Sequence, residues 1–90
     1  MAVPGRKYHL SPQFKAEAAA ASVTIREAVM ELLEELLPYP YPGDSDLAVT
    51  ESQDKPGLYH APVGDLAALL EFRMEDEGQT ILATHLYCFE

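Results

Sequence analysis

From Leu66 to Glu75 the side chains alternate. Leu66, Ala68, Leu70, Phe72 and Met74 fall on one face, and Ala67, Leu69, Glu71, Arg73 and Glu75 on the other. A period of two with one continuous apolar face predicts a strand over 66–75. Gly64-Asp65 punctuates before it and Asp76-Glu77-Gly78 after it. Residues 79–86, rich in β-branched and apolar side chains, predict a return strand, and 57–62 a preceding one. Asp65 could instead cap a helix in which Leu66, Leu69 and Leu70 share a face. The alternation through Met74 and the flanking turns favour the strand.

Upstream the period changes. A short strand over 6–10, with Tyr8 and Leu10 on one face, leads into Ser11-Pro12, a hydroxyl N-cap followed by proline at the first helical position. Phe14, Ala18 and Ala21 then recur at helical spacing, predicting a helix over 12–22. Thr24 and Glu27 match a capping box. Ile25, Val29, Leu32, Leu33 and Leu36 form a wide apolar stripe on a second helix over 25–37. Pro38-Tyr39-Pro40-Tyr41-Pro42-Gly43 can be neither helix nor central strand. Leu47 to Glu51 adds at most a brief edge strand. The expected core joins Ile25, Val29, Leu32 and Leu36 to Leu66, Leu70, Phe72 and Ile81. The fold class is α+β in the order β-α-α-β-β-β: a two-helix hairpin packed on one face of a small, antiparallel-rich sheet.

The 90 residues make a single domain, 1–90, and the 48% apolar fraction suffices for one core. No apolar run is long enough to span a membrane, and the opening residues lack the apolar centre of a signal peptide, so the expected location is cytoplasmic. Cys88 is the single cysteine and reads as a near-terminal apolar side chain rather than a nucleophile. The formal charge of −9 is unevenly spread. Residues 1–26 hold Arg6, Lys7, Lys15 and Arg26 against Glu17, a balance of +3. Residues 27–90 hold Lys55 and Arg73 against fourteen acids, a balance of −12. Such a body disfavours a phosphate backbone and suits a basic protein partner or plain solubility.

Candidate chemistry is sparse. Asp44 and Asp46 lack a third ligand at a known metal spacing, and no cofactor motif is present. His60, His85, Tyr59, Tyr87 and Glu71 are the residues available for acid–base work, and His60, Glu71 and Tyr87 are the catalytic candidates among them. Strict alternation from Ile81 pairs His85 with Tyr87 as packing residues and sets Leu86 on the opposite face. Tyr39 and Tyr41, held between prolines, seal the core edge or anchor a partner. Glu31 and Glu35, on the polar side of the second helix, are a solvated face or a partner-binding one.

One resemblance covers nearly the whole chain. Gly57-Leu58-Tyr59-His60, Val63-Gly64-Asp65, an apolar strand, an acidic turn, Ile81-Leu82 and His85 follow a strand and two helices. The arrangement resembles the RelE/ParE superfamily of toxins from type II toxin–antitoxin modules. Those chains carry G-x-Y-R-x-R-V-G-D-Y-R running into an apolar strand, and a last strand ending near H-R, often followed by tyrosine. The departures matter as much: His60, Pro62, Ala67 and Leu86 stand where that pattern has arginine. In the ribonuclease members such groups hold the scissile phosphate. Losing one donor of this kind typically costs about 10²- to 10³-fold in rate. The resemblance therefore implies a toxin-fold protein that binds an antitoxin-like or other basic partner and has little or no ribonuclease activity. Gyrase-poisoning members, which do not cleave RNA, are not excluded by this reasoning. An active mRNA endonuclease and a small acidic interaction domain without toxin heritage are the alternatives. Homodimerisation is left open.

Overall fold

The computed structural model of the chain describes residues 5–89. Strand β1 (Lys7–Leu10) leads into helices α1 (Pro12–Ala20) and α2 (Val23–Leu36). A long connector passes through the edge strand β2 (Thr50–Glu51), followed by β3 (Leu58–Pro62), β4 (Ala68–Glu75) and β5 (Thr80–Cys88). The five strands form one sheet in the order β1-β5-β4-β3-β2. β1 runs parallel to β5, and every other pairing is antiparallel. The helices supply the crossover that a parallel neighbour requires, and they cover one face of the sheet. This is the expected α+β architecture, with β2 as a two-residue addition.

The helix starts are chemically defined. Ser11 Oγ accepts from the Phe14 amide at 3.0 Å, with Pro12 opening α1. For α2 the capping box expected at Thr24 is displaced by Ser22, whose Oγ accepts from the Ile25 amide at 3.2 Å. α2 consequently begins at Val23, and α1 stops at Ala20 rather than at residue 22.

The core is continuous between the layers. Phe14 of α1 and Ile25, Val29, Leu32, Leu33 and Leu36 of α2 are buried against Leu70 and Phe72 of β4 and Ile81, Ala83 and Leu86 of β5. Leu66 differs from expectation. It is half-buried against this core but lies in the turn before β4. The Leu66 amide donates to the Val63 carbonyl at 3.1 Å, and its carbonyl accepts from the Ala68 amide at 2.8 Å, so the turn begun at Gly64-Asp65 absorbs two further residues.

Arg6, entered above only in the charge balance, is 8% exposed. Its Nε donates to the Gly78 carbonyl at 2.7 Å, and one Nη donates to the carbonyls of Leu37 at 2.7 Å and Pro38 at 3.3 Å. The guanidinium also lies 5.9 Å from the centre of the Tyr41 ring. These carbonyls include those just past the C-terminus of α2, where acceptors lack helical partners and the dipole favours a cation. Gly78 has φ +89°, and a Cβ there would stand 3.0 Å from the Tyr41 hydroxyl, so the residue is held to glycine by both backbone and space.

Two stability outcomes follow. Leu70→Ala removes a fully buried side chain and is expected to cost about 2–5 kcal/mol, read as a lower urea midpoint. An unchanged midpoint would mean that Leu70 does not face the core. Arg6→Met leaves the Leu37 and Gly78 carbonyls without their charged donor. It is expected to cost about 1–3 kcal/mol in the same measurement, and indifference would show that water replaces the guanidinium without loss.

Candidate functional site

The face of the sheet away from the helices carries the titratable chemistry. One extra residue in β5 decides which side chains it presents. Glu71 pairs with His85, but Phe72 pairs with Ala83, leaving Thr84 unmatched. Such a β-bulge resets the alternation. Ile81 and Ala83 face the core before it, and Leu86 does so after it. His85 and Tyr87, expected from strict alternation to pack inward, therefore turn to the open face, and Leu86 is 3% exposed in the core.

Glu71, 8% exposed, is the centre of the cluster. Its Oε1 lies 3.2 Å from His60 Nε2 and accepts from the Tyr87 hydroxyl at 3.1 Å. Its Oε2 accepts from the Thr84 hydroxyl at 2.7 Å, while the Glu71 carbonyl lies 3.1 Å from the same hydroxyl. A threonine has one hydroxyl proton, so the carboxylate, nearer and charged, takes it. His85 Nε2 stands 3.8 Å from Glu71 Oε2, and His85 Nδ1 stands 3.4 Å from Glu17 Oε1. Glu17 reaches the sheet from α1, where its Oε1 accepts from the Leu86 amide at 2.9 Å. It fills the edge of β5 beyond the end of β1. The His85 and Tyr87 rings stack, with centroids 5.7 Å apart.

Burial pushes the Glu71 carboxyl up, but bonds from Thr84, His60 and Tyr87 and the nearby charge of His85 outweigh it. The net effect holds the group below its ordinary value of 4.5. Desolvation, followed by the bond to Glu71 and the charges of Glu71 and Glu17, pushes Tyr87 up from 10.0. The cluster thus contains a carboxylate kept ionised, two imidazoles and a phenol kept protonated. These are the parts of an acid–base site, with most of their bonding directed at one another.

The three acid–base candidates, His60, Glu71 and Tyr87, come together here. His85, set aside above as a packing residue, joins them; Thr84 and Glu17 were missed in that role, and the polar Thr84 within an otherwise apolar run was the one sequence signal for the bulge. Arg73, the one arginine in the described strands, shares the open face and pairs with Glu75 at 3.5 Å. Pro62 and Ala67 are exposed without offering a cation. The binding candidates separate. Tyr39 is 42% exposed, whereas Tyr41 packs edge-on against Tyr59 with centroids 5.9 Å apart. Tyr59 in turn stacks on Phe72 at 5.6 Å. Glu31 and Glu35 line a groove beside α2, away from the cluster. Cys88 is exposed.

A two-helix layer on a five-stranded mixed sheet is a shape shared with solved RelE-type toxins. No protein-family model matches the sequence, and no curated protein sequence matches it. Solved structures do. The RelBE2 toxin–antitoxin complex from Mycobacterium tuberculosis contains a chain that superposes with a TM-score of 0.76 at 16% identity, over 94% of this chain and 99% of that one. The archaeal RelE-RelB complex from Pyrococcus horikoshii gives 0.72 at 15% identity, over 96% of each chain. The YoeB/ParE toxin from Agrobacterium tumefaciens gives 0.73 at 11% identity, over 93% of this chain and 99% of that one. The sequence resemblance to these toxins is thereby matched in three dimensions, at the level of fold.

The Glu71 network sets a pH dependence. A carboxylate whose folded pKa is depressed contributes stability above its unfolded value, near 4.5, and that stability is lost as pH falls through the folded value. Tyr87→Phe removes one donor, so a carbon-13 titration of Glu71 is expected to move upward. Glu71→Gln is expected to flatten the loss of stability below about pH 4.5. A Glu71 titration unmoved by Tyr87→Phe would show that the phenol does not donate to it in solution.

Proposed function

We propose that this chain is the toxin-fold member of a toxin–antitoxin pair, acting by binding protein, with little or no ribonuclease activity. The fold supports the setting, because chains of this shape are found in RelBE complexes from M. tuberculosis and E. coli and in archaeal RelE-RelB complexes. One observation on the open face carries the functional half. Glu71 is satisfied by the chain's own His60, Thr84 and Tyr87, and the one arginine in the described strands is paired with Glu75. A scissile phosphate brought there meets a buried carboxylate and no free guanidinium fork, the geometry best suited to holding it. The partner is antitoxin-like and basic where it meets the acidic helix side, and the pair works in the cytoplasm. No helix among the described residues is long and apolar enough to cross a membrane.

A second reading, a divergent mRNA endonuclease, is favoured by the convergence of His60, Glu71, His85 and Tyr87 on one open face. Two imidazoles beside an ionised carboxylate could move the protons of a phosphodiester cleavage. Purified protein added to translating ribosomes separates the two. The expected outcome is intact mRNA. Specific cleavage that disappears in His60→Ala would replace the first reading with the second.

A further inference from the structure

The exposed side of α2 works against the helix's own electrostatics. Glu34 and Glu35 lie in its last turn, where helix carbonyls already concentrate negative charge, and the Arg6 guanidinium that reaches this end is taken up by the Leu37 and Pro38 carbonyls. Glu27, Glu31 and Glu35 succeed one another at i, i+4 and i+8, a spacing at which like charges oppose the helix. Local choices that disagree with the fold tend to mark places used for something else.

The last two of these carboxylates border a groove of about 310 Å³ between α2 and the loops before β2 and β4. Ala28, Leu32 and Leu47 give it an apolar floor, and Glu31, Glu35, Asp46 and Asp65 stand around it. The ion pairs of the described residues lie elsewhere, at His60, Arg73 and His85, so none of the four bordering carboxylates is neutralised by a described residue. Among the described residues no group of acids or histidines is close enough together to hold a metal ion, which leaves cationic side chains spread over several ångströms as the fitting counter-charge. A nucleic acid would be repelled by these carboxylates.

We infer that this groove receives a basic, amphipathic segment of the antitoxin-like partner. The inference rests on the proposed toxin–antitoxin reading. An apolar side chain of the segment enters over Ala28, Leu32 and Leu47, and lysine or arginine on either side of it meets Glu31 and Glu35 across from Asp46 and Asp65. Apolar contact holds the complex and charge steers its formation. Binding also relieves the repulsion within α2, so the carboxylates that weaken the free chain strengthen the complex.

That opposition gives the test. The double variant Glu31→Gln/Glu35→Gln is compared with the wild type by thermal melting and by NMR titration with two synthetic helical peptides. One carries arginine one turn to each side of a leucine pair. The other carries glutamate at those positions. The expected result is a higher melting temperature for the free variant, together with about tenfold weaker binding of the arginine peptide. The wild-type shifts should centre on 28–35, 46–48 and 64–65 and shrink as salt is raised. Equal binding of the glutamate peptide, undiminished binding by the variant, or shifts confined to the open sheet face would overturn the groove. Where an adjacent gene encodes a small candidate antitoxin, that protein, purified, forms the other arm. If it binds both forms of the chain equally tightly, the groove is not its seat and the pairing stands. If it binds neither while the arginine peptide still seats, the pairing falls and the groove's preference stands.

Discussion

The hydrogen bond from Thr84 to Glu71 is made possible by a single unpaired residue in β5, and the character of the open face depends on it. Without the bulge, His85 and Tyr87 would enter the core and Leu86 would be stranded in water. With it, the apolar face remains continuous on the helix side while two aromatic polar groups gather round a carboxylate on the other. The extra residue is itself the donor nearest to that carboxylate, at 2.7 Å. Backbone irregularity and side-chain chemistry are therefore one feature, in keeping with the enrichment of bulges beside functional sites.

The two sides of the molecule divide the charge unequally. His60 and His85 adjoin the open-face carboxylate, and Arg73 stands on the same face. The helix side carries glutamates that no described cation neutralises. A whole-chain value of −9 hides this division. It describes the helix side well and the open face poorly, which is why composition alone weighed against nucleic acid more heavily than the local geometry does.

The elements themselves were legible because each is written in a strong period: the stripe from Ile25 to Leu36, the alternation from Ala68 to Met74, the Ser11-Pro12 start. Family-like spacing around Tyr59 and Gly64-Asp65 then pointed to the toxin fold. Three things escaped for physical reasons. Ser22 outcompeted Thr24 as the cap because a serine one turn before Ile25 can reach its amide, a choice propensity does not decide. Arg6 entered only the charge balance because nothing local in the sequence announces the carbonyls of Leu37 and Gly78. The bulge was invisible to any argument from strict alternation, so the candidates His60, Glu71 and Tyr87 could be named separately but not assembled.

The parallel pairing of β1 with β5 has a consequence for how the chain reaches this structure. Arg6 and its acceptor Gly78 are 72 residues apart in sequence, and the partners of Lys7–Leu10 are Thr80–Ala83. Contacts of such separation require the largest loops to close before they give any return, which slows folding. During synthesis β1 and both helices emerge with their apolar stripe complete and no sheet to cover it, because the strand that seats them is made after every other strand of the sheet. A protein of this design spends its nascent life with an exposed apolar helix face, the condition under which a chaperone or an early-binding partner determines how much of it survives to fold.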